Sequence, residues 1–384
     1  MIVFDQVSKT YPDGTVAVGE LSFEAPTGQI TVLVGPSGCG KTTSMRMINR
    51  LIDPTTGSVS LDGQDTTAVN KVDLRRKIGY VIQNAGLLPH RTVVDNVAAL
   101  PRLLGGKKRD TRSRALELLE LVGLDQSFAH KYPWQLSGGQ QQRVGVARAL
   151  ATDPPFLLMD EPFSAVDPLV RAQLQQEFLR LQKTIGKTIV MVTHDIDEAL
   201  ILGDQIAVLR QGGHLAQIAS PEELLRSPAD RFVADFVGAS RGYRALGFAH
   251  ADAALTIAET PAAPLGAAAS ELPARPDGWL VALDPEGRPA GWVRRSAVDT
   301  ELSEADVEHA GSSTSRSAPL RDLLDAALSS PNGDGLVTDD EGCFLGTVST
   351  DDVVAAIHRS KQQSAEQHGQ QQSEQHGAEP ASSV

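Results

Sequence analysis

The stretch that decides the fold is "ITVLVGPSGCGKTT", Ile30 to Thr43. Its first half is a short apolar run, typical of a strand buried in a parallel sheet, and its second half is a glycine-rich turn before a helical pattern. A glycine-rich loop between a strand and a helix wraps a phosphate with its backbone N–H groups, and the positive end of the helix adds to the field. We therefore predict a phosphate-binding loop at Gly35 to Thr43.

The positions of this loop have separate predicted tasks. Lys41 is expected to reach the β- and γ-phosphates of a nucleotide, and the Thr42 hydroxyl is expected to ligate Mg²⁺. Cys39 stands at a position that the motif leaves free, so we expect a small filler and not a nucleophile. The loop residues predicted to bind the nucleotide are Gly35, Pro36, Ser37, Gly38, Cys39, Gly40, Lys41, Thr42 and Thr43.

A second apolar run, "FLLMDE" (Phe156 to Glu161), ends in two carboxylates. Its four apolar residues predict a buried strand that carries both acids out at its end. Asp160 is then expected to hold Mg²⁺ through water, and Glu161 to orient or deprotonate the attacking water. Paired acids are usually solvated surface groups. The apolar strand and the phosphate loop together favour the catalytic interpretation here.

Length and composition predict a globular chain of two or three domains. The 384 residues exceed one average domain, and a hydrophobic content of 41% suffices for packed cores. The sequence has no apolar run near the 18 or so residues that span a bilayer, and Met1 to Tyr11 lacks the features of a signal peptide. Two cysteines cannot form a disulfide framework, which fits a reducing compartment. We therefore predict a cytosolic chain.

The net charge of −13 is concentrated in the carboxyl-terminal part. Residues 1–244 hold 27 basic and 26 acidic residues, whereas residues 245–384 hold 8 basic and 22 acidic residues. An acidic region repels phosphates instead of releasing counterions from them, so nucleic acid is not an expected partner.

Up to about Gly238 the chain alternates short apolar runs with helical patterns, which predicts a sheet buried on both faces. The further predicted strands are Lys77 to Gln83, Pro155 to Asp160, Lys187 to Asp195 and Gln205 to Gly212, and the predicted helices include Thr111 to Val122 and Leu169 to Thr184. This alternation predicts an α/β fold.

After Gly238 the composition turns to Ala, Pro and Gly, and an internal repeat follows. "VALDPEGRPAGWV" (Val281 to Val293) aligns at an offset of 55 with "LVTDDEGCFLGTV" (Leu336 to Val348). Each copy predicts a β-β-α unit, with turn residues between two apolar runs. The tail from Ser360 is polar and repetitive, which predicts disorder, and its two histidines are expected to be solvated and not metal ligands.

The stretch "LSGGQQQR" (Leu136 to Arg143) identifies the family. A serine and two glycines at a helix start form a second anion-binding pattern, which one phosphate loop should not need. With it, residues 1 to about 238 resemble the ATP-binding cassette (ABC) ATPases, with the family motifs in order. The resemblance implies a P-loop ABC ATPase core with antiparallel β and helical subdomains, the helical one at about 84–150, followed by a smaller α+β domain.

The family pattern implies roles for three further residues. Tyr11 would stack on adenine, Gln83 would be the Q-loop glutamine that contacts Mg²⁺ or water, and His194 would be the switch histidine at the γ-phosphate. A half-exposed strand aromatic, a turn amide and a core histidine remain the alternatives at these positions. The catalytic residues implied are Glu161, His194, Gln83 and Lys41, and the Mg²⁺ ligands implied are Thr42, Gln83 and Asp160.

The resemblance also accounts for the second anion-binding pattern. In the family, the signature of one subunit closes over the nucleotide held by the phosphate loop of the other. A head-to-tail homodimer with two ATP molecules and Mg²⁺ is therefore implied. The residues implied to bind ATP in trans are Ser137, Gly138, Gly139 and Gln140 of the signature, and Asp167 at the end of the D-loop "SAVD" (Ser164 to Asp167).

The segments Arg75 to Ala98 and Asp160 to Arg171 resemble the bacterial importers of glycine betaine, choline, carnitine and proline betaine. Such a subunit would work at the cytoplasmic face of the membrane with separate permease subunits, served by an extracytoplasmic solute-binding protein. An importer of amino acids or another small solute is the alternative. A non-transport regulator that uses ATP-driven dimerisation as a switch also stays open.

The repeat resembles a tandem pair of cystathionine-β-synthase-type (CBS) modules. The boundaries predicted are 1–238 for the ATPase, 239–277 for a linker and degenerate start of the first module, 278–300 for its remainder, 301–360 for the second module and 361–384 for the tail. The pair is expected to regulate the ATPase, with a regulatory nucleotide as one ligand. Because the region is acidic, we expect any salt response to act through charge screening or a basic surface, and not through lipid docking.

Overall fold

The computed structural model describes residues 1–83, 85–164, 166–251, 254–273 and 276–362. These fall into two compact units, Met1–Ala239 and the chain from Ser240 onward. Within the described residues, no helix combines the length and apolarity that crossing a bilayer requires. The predicted tail, apart from its first residues, lies outside the described ranges.

The first unit contains both strands and helices. Its strands are β1 (Ile2–Thr10), β2 (Val16–Ala25), β3 (Ile30–Val34), β4 (Thr56–Leu61), β5 (Gln64–Asp65), β6 (Ile78–Val81), β7 (Phe156–Asp160), β8 (Thr188–Val192), β9 (Gln205–Leu209) and β10 (Leu215–Ala219). Its helices are α1 (Lys41–Ile48), α2 (Lys71–Arg76), α3 (Val93–Val97), α4 (Ala99–Leu103), α5 (Lys108–Leu121), α6 (Gly138–Leu150), α7 (Pro168–Ile185), α8 (Ile196–Leu202), α9 (Pro221–Arg226) and α10 (Arg231–Val237).

A six-stranded sheet in the order β10-β9-β3-β8-β7-β6 forms the centre of the first unit. From β9 to β6 all neighbours are parallel, and β10 joins antiparallel to β9. Every residue of β3, β7 and β8 is buried, as the continuous apolar runs predict for a sheet covered on both faces. The predicted parallel core is therefore present, and the carboxyl ends of its strands meet at one edge.

Two further parts complete this unit. An antiparallel sheet in the order β2-β1-β4-β5 packs its apolar face into the same core, where Phe4 and Phe23 stack with ring centroids 4.6 Å apart. Helices α3 to α6 fill the region predicted as the helical subdomain at about 84–150. Ser137 begins α6 with a capping box, in which its side chain and that of Gln140 exchange hydrogen bonds with each other's backbone.

The strands and helices of the second unit are arranged around the two copies of the internal repeat. They are α11 (Arg241–Ala245), β11 (Ala262–Pro264), β12 (Trp279–Leu283), β13 (Pro289–Arg294), β14 (Val307–Glu308), β15 (Ser313–Ser315), α12 (Leu320–Ser329), β16 (Asp334–Thr338), β17 (Phe344–Ser349) and α13 (350–362). Two sheets result, in the orders β11-β12-β13-β14 and β15-β16-β17.

The two copies of the repeat form matching hairpins. In each, a short strand runs parallel to the first hairpin strand, and the hairpin itself is antiparallel. The turn aspartates Asp284 and Asp339 each accept two backbone N–H bonds, and the following Gly287 and Gly342 have φ of 81° and 87°. The repeat thus encodes one turn twice, since Asp bonds its own turn and Gly allows a positive φ.

The copies differ in their helices. The second has α12 before its hairpin and α13 after it, as a β-β-α unit predicts. In the first, a 3-10 turn at Arg295–Ala297 stands where the helix was expected, because that segment is too short and polar to present an apolar face. The segment predicted as a linker and degenerate start contributes β11 to the sheet. Helix α13 extends through Gln362, two residues past the predicted end of the second module.

One carboxyl group is buried in the first unit without a matching charge. Glu198 of α8 is 5% exposed and accepts a hydrogen bond from the Thr193 hydroxyl at 2.6 Å. Burial raises the pKa of Glu198 to about 7, and the charge of Asp195 adds to this effect, whereas the Thr193 bond, Arg171 and His194 oppose it. Ionising Glu198 is therefore unfavourable in the folded chain.

We expect Gly346→Ala to destabilise the second unit by about 3 kcal/mol. Gly346 has φ of 149°, and a Cβ there would lie 2.4 Å from the Ala258 carbonyl oxygen. Urea unfolding of the second unit can be followed by the fluorescence of its buried Trp279 and Trp292 in a background with Trp134→Phe, which removes the third tryptophan. Gly242→Ala is the control, because that glycine has open space around it; equal unfolding midpoints for the two variants would contradict the assignment.

We expect Glu198→Gln to remove a pH dependence of stability. A carboxyl group whose folded pKa of about 7 exceeds the unfolded value of 4.5 keeps its proton in the folded chain, so stability falls as pH rises from 4.5 to 7. The loss from this group amounts to roughly 3 kcal/mol. The free energy of unfolding of the first unit, followed by circular dichroism at pH 5 and pH 7.5, should fall less in the variant. An equal fall in both proteins would refute the burial argument.

Candidate active site

The predicted phosphate loop joins β3 to α1 at the carboxyl edge of the six-stranded sheet. Gly35 and Gly40 have φ of 156° and 95°, and a Cβ on either would lie 2.3 Å from a backbone carbonyl oxygen, that of Leu209 or of Ala17. Glycine is therefore required at both positions by backbone conformation and by close packing. The loop therefore packs closely against β9 on one side and β2 on the other.

Lys41 is 7% exposed and lies over the loop. Its ammonium group donates to the carbonyl oxygens of Gly35 at 2.7 Å and Pro36 at 2.9 Å. Cys39 is fully buried in the core cluster with its Sγ 3.7 Å from the Lys41 Nζ, in agreement with its predicted role as a filler. The loop tip is fixed by Gln211, whose side chain donates to the Ser37 carbonyl at 3.0 Å. Sequence reasoning gave Gln211 no role.

Asp160 ends β7 beside the phosphate loop. The Thr42 hydroxyl donates to its Oδ1 at 3.2 Å. Burial raises the pKa of Asp160 above its ordinary value, while the Thr42 bond and the positive charge of Arg46 act in the opposite direction. Two of the three side chains predicted to hold Mg²⁺, Thr42 and Asp160, thus lie side by side although they are 118 positions apart in the chain.

Glu161 follows immediately and has a strained backbone. Its φ is 45°, a conformation that residues other than glycine rarely adopt, and its N–H donates to the Val192 carbonyl at 2.9 Å. The strained turn directs the carboxylate to two partners. The Gln83 amide donates to Oε2 at 3.2 Å, and the His194 Nδ1 lies 3.1 Å from Oε1. Three of the predicted catalytic residues therefore meet at one carboxylate, Gln83 through a hydrogen bond and His194 at ion-pair distance.

An open cleft of about 650 Å³ connects the loop with Glu161 and His194. It is lined by Gly35, Pro36, Ser37, Gly38, Cys39, Gly40, Lys41, Thr42, Thr43, Glu161 and His194, together with Ala17 and Phe236. Sequence reasoning missed the last two. The sequence offered no signal for Ala17, which is a small strand residue, and Phe236 was one apolar position of an ordinary helical pattern.

Eight predicted residues do not line this cleft. Gln83 and Asp160 line a second pocket together with Arg46 and Tyr80, and the other six are Tyr11 and the five residues predicted to act in trans. Ser137, Gly138, Gly139, Gln140 and Asp167 do not line the cleft. The signature residues stand at the first turn of α6, where Ser137 and Gly138 are exposed to solvent. Asp167 is exposed at the start of α7. Their prediction as contacts made in trans stays a prediction.

Tyr11 also lies outside the cleft lining. It stands in the turn between β1 and β2, where its N–H donates to the Thr15 carbonyl at 2.9 Å, and it is 37% exposed. The Lys9 ammonium is 5.6 Å from the ring centroid. The role of Tyr11 in stacking on adenine stays a prediction.

The donor set fits Mg²⁺ and a nucleotide phosphate. Mg²⁺ prefers oxygen ligands, and it is usually held by one or two carboxylates or hydroxyls together with substrate phosphates. Thr42 and Asp160 supply such a pair, and a bound cation would offset the cost of ionising the buried Asp160. The residues described contain no cluster of three or more His, Cys, Asp or Glu side chains of the kind that would hold an ion without a phosphate.

This arrangement suits the transfer of a phosphoryl group to water. Backbone N–H groups and Lys41 are in place for phosphate oxygens, and Glu161 is in place to accept a proton from water. Gln83 donates a hydrogen bond to the Glu161 carboxylate, and the His194 Nδ1 lies 3.1 Å from its other oxygen.

Comparison with known proteins agrees with this geometry. A family model described as ABC transporter matches residues 18–164. The chain is 44% identical over 342 residues to the osmoprotectant import ATP-binding protein OsmV of Salmonella typhimurium, covering 87% of this chain and 89% of that protein. It is 50% identical over 241 residues to the choline transport ATP-binding protein OpuBA of Bacillus subtilis, spanning 63% of each chain.

Solved structures match the first unit. A dimeric post-hydrolysis state of the ATP-binding cassette MJ0796 bound to ADP and Pi is similar with a TM-score of 0.52 and 36% identity, over 58% of this chain and 99% of that one. CbiO1 of Clostridium perfringens, part of an ABC transporter complex, is similar with a TM-score of 0.55 and 26% identity, over 59% and 90%. The family and the P-loop ABC ATPase fold predicted from the motifs are thus confirmed, and the chain belongs to the ATP-binding proteins of the ABC transporter family.

Proposed function

We propose that this chain is the ATP-hydrolysing subunit of a bacterial importer for quaternary-ammonium compatible solutes such as glycine betaine, choline, carnitine or proline betaine. The observation that carries the proposal is the position of Glu161: it lines the same cleft as the phosphate loop, accepts a hydrogen bond from Gln83 and lies 3.1 Å from the His194 Nδ1. The solute class rests on the relatives, whose names specify osmoprotectant and choline transport.

Hydrolysis is proposed to proceed by in-line attack of water on the γ-phosphate. Glu161 orients this water and accepts its proton, while Lys41 and the loop N–H groups stabilise the charge that develops on the phosphate oxygens. His194 holds the Glu161 carboxylate from one side and Gln83 from the other. The strained φ of 45° at Glu161 keeps its carboxylate at the edge of the cleft.

Thr42 and Asp160 are the residues proposed to hold Mg²⁺, with Gln83 as a further ligand. When bound, Mg²⁺ would neutralise charge on the β- and γ-phosphates. Gln83 donates to Glu161 through its amide nitrogen, so its amide oxygen is available for a cation or a water. This glutamine therefore connects the cation site to the catalytic carboxylate.

We propose that the signature works in trans within a head-to-tail homodimer. The capping box directs the first backbone N–H groups of α6 along the helix axis, where an anion is favoured by the helix dipole. Ser137 and Gly138 are exposed and lie outside the cleft of their own chain. The similarity to a dimeric cassette bound to ADP and Pi supports this arrangement.

We place the subunit at the cytoplasmic face of the membrane, where it would drive separate permease subunits served by a solute-binding protein. In this proposal closure of the dimer moves the Q-loop region around Gln83.

The second unit is proposed to regulate the ATPase without docking on lipid. Its one pair of adjacent basic residues is exposed but also makes contacts within the unit: the Arg294 guanidinium lies 4.6 Å from the Trp279 ring centroid, and the Arg295 Nε donates to the Leu272 carbonyl at 3.1 Å. An anionic membrane surface attracts clusters of basic residues. Against this single pair, residues 245–384 hold 22 acidic and 8 basic residues. A regulatory nucleotide remains part of the proposal.

Glu161→Gln should bind ATP and lose hydrolysis by about 10²–10⁴-fold, because an amide cannot accept the proton of the attacking water. Phosphate release under saturating MgATP measures the loss, and binding of a fluorescent ATP analogue confirms an intact site. Glu24→Gln, an exposed acid on β2, is the control and should hydrolyse at the parental rate. Hydrolysis by Glu161→Gln at the parental rate would show that the catalytic assignment is wrong.

The trans role of the signature can be tested in the Glu161→Gln background. With ATP this variant should dimerise, as measured by light scattering after size-exclusion chromatography, and adding Ser137→Arg should keep it monomeric while nucleotide still binds. Ser220→Arg is the matched control, because Ser220 caps α9 with the same 3.3 Å bond that Ser137 makes at α6. Dimerisation of the Ser137→Arg variant to the same extent would refute the arrangement.

A further inference from the structure

Arg171 lies four residues after Asp167, in the first turn of α7, directly behind the D-loop. Its backbone N–H donates to the Asp167 carbonyl at 2.8 Å, and its Nη2 donates to the Val166 carbonyl at 3.1 Å. Backbone and side chain of one residue therefore both hold the end of the D-loop. Sequence reasoning included Arg171 in a stretch typical of the subfamily but gave it no role.

The same guanidinium reaches a second loop of the site. Its Nη1 lies 3.9 Å from the Asp195 Oδ2. Asp195 immediately follows His194, and its other oxygen accepts from the N–H groups of Asp197 at 2.9 Å and Glu198 at 3.3 Å, which caps α8. Asp195 is thus fixed to its own helix on one side and faces Arg171 on the other.

His194 lies in the short segment 193–195, immediately before Asp195. The Asp195 N–H donates to the Thr193 hydroxyl at 3.1 Å, so the three residues 193–195 are bound to one another. The His194 Nδ1 then lies 3.1 Å from the Glu161 carboxylate. On the D-loop side, Ser164 donates from its hydroxyl to the Glu161 carbonyl at 2.9 Å. Each of the two loops that Arg171 contacts therefore also contains a residue that contacts Glu161, namely His194 in one and Ser164 in the other.

We propose that Arg171 is a positioning residue that ties the D-loop to the segment 193–195, so that a displacement of the D-loop by the partner subunit is transmitted to His194. The proposal rests on the proposed function, in which Asp167 faces the nucleotide of the partner. An arginine side chain suits contact with two loops, because a guanidinium donates in several fixed directions at once and a lysine ammonium does not.

Two observations favour positioning over a purely structural role. The Arg171 and Asp195 side chains keep 30% and 35% of their area exposed and meet at the outer limit of an ion pair, so the contact should add little to stability. The Arg171 Nε is buried and has no hydrogen-bond partner among the described residues. A group that served only to stabilise the fold would be expected to have its donors fully paired.

The test compares Arg171→Gln, Arg171→Lys, Asp195→Asn and the double variant Arg171→Gln/Asp195→Asn in the full chain. Glutamine removes the charge, and asparagine preserves the α8 cap while removing the charge that faces Arg171. We expect each glutamine or asparagine variant to lower kcat for MgATP hydrolysis by about tenfold, with KM changed less than about twofold. The Hill coefficient for ATP should fall toward 1, and lysine should recover only part of kcat.

The double variant decides whether the two residues act through each other. If they do, the fold-decrease in kcat of the double variant should be close to that of either single variant, instead of the product of the two decreases. Arg180→Gln is the matched control, since Arg180 is an exposed arginine farther along α7, and it should behave as the parent. Melting temperatures of all variants should stay near that of the parent.

Multiplicative losses in the double variant, or a parental kcat and Hill coefficient in Arg171→Gln, would overturn the proposal. Equal losses of kcat and stability would also overturn it, because they indicate a structural role. The proposed function fails differently, through a parent that does not hydrolyse ATP or a Glu161→Gln variant that does. The ATPase assay therefore distinguishes failure of the Arg171 proposal from failure of the proposed function. If the proposed function fails, the proposal about Arg171 fails with it.

Discussion

The hydrogen bonding of the parallel strands β3, β8, β7 and β6 is the constraint on which the rest of the site depends. Parallel pairing aligns the carboxyl ends of these strands, and the loops that follow them emerge at one edge. Two bonds extend this pairing into the site itself: the Glu161 N–H donates to the Val192 carbonyl, and the Thr193 N–H donates to the Leu33 carbonyl at 3.2 Å. The phosphate loop, the carboxylates and the switch segment are thus joined through backbone.

Hydrogen bonds position the charged side chains of the site. Lys41 donates to carbonyl oxygens of its own loop, whereas Asp160 and Glu161 accept from the neutral side chains of Thr42 and Gln83 in other segments. Burial disfavours ionisation of Asp160, whereas Glu161 keeps access to the cleft. A cation and a nucleotide would complete such a site, and a closed, self-sufficient ion-pair network would not leave room for them.

The second unit shows how a repeat can preserve a turn and lose a helix. The Asp and Gly positions of both turns are retained because each has a backbone requirement, and the Phe344 N–H donates to the Gly287 carbonyl at 3.0 Å where the two hairpins meet. Trp279, Val281, Trp292 and Leu336 form an apolar cluster shared by the two copies. The helices face no such backbone requirement, which explains why the Arg295–Ala297 segment could shorten.

The sequence by itself determined the buried strands, the phosphate loop, the carboxylate pair and the turns of the repeat. These features depend on local chemistry, namely apolar runs, glycine conformations and capping side chains. Only the tertiary structure decided that Gln83 and His194 both bind Glu161, that Phe236 and Ala17 line the cleft and that Arg171 contacts two loops. Those contacts join residues far apart in the chain, and their geometry follows from strand order and helix packing, which no local pattern encodes.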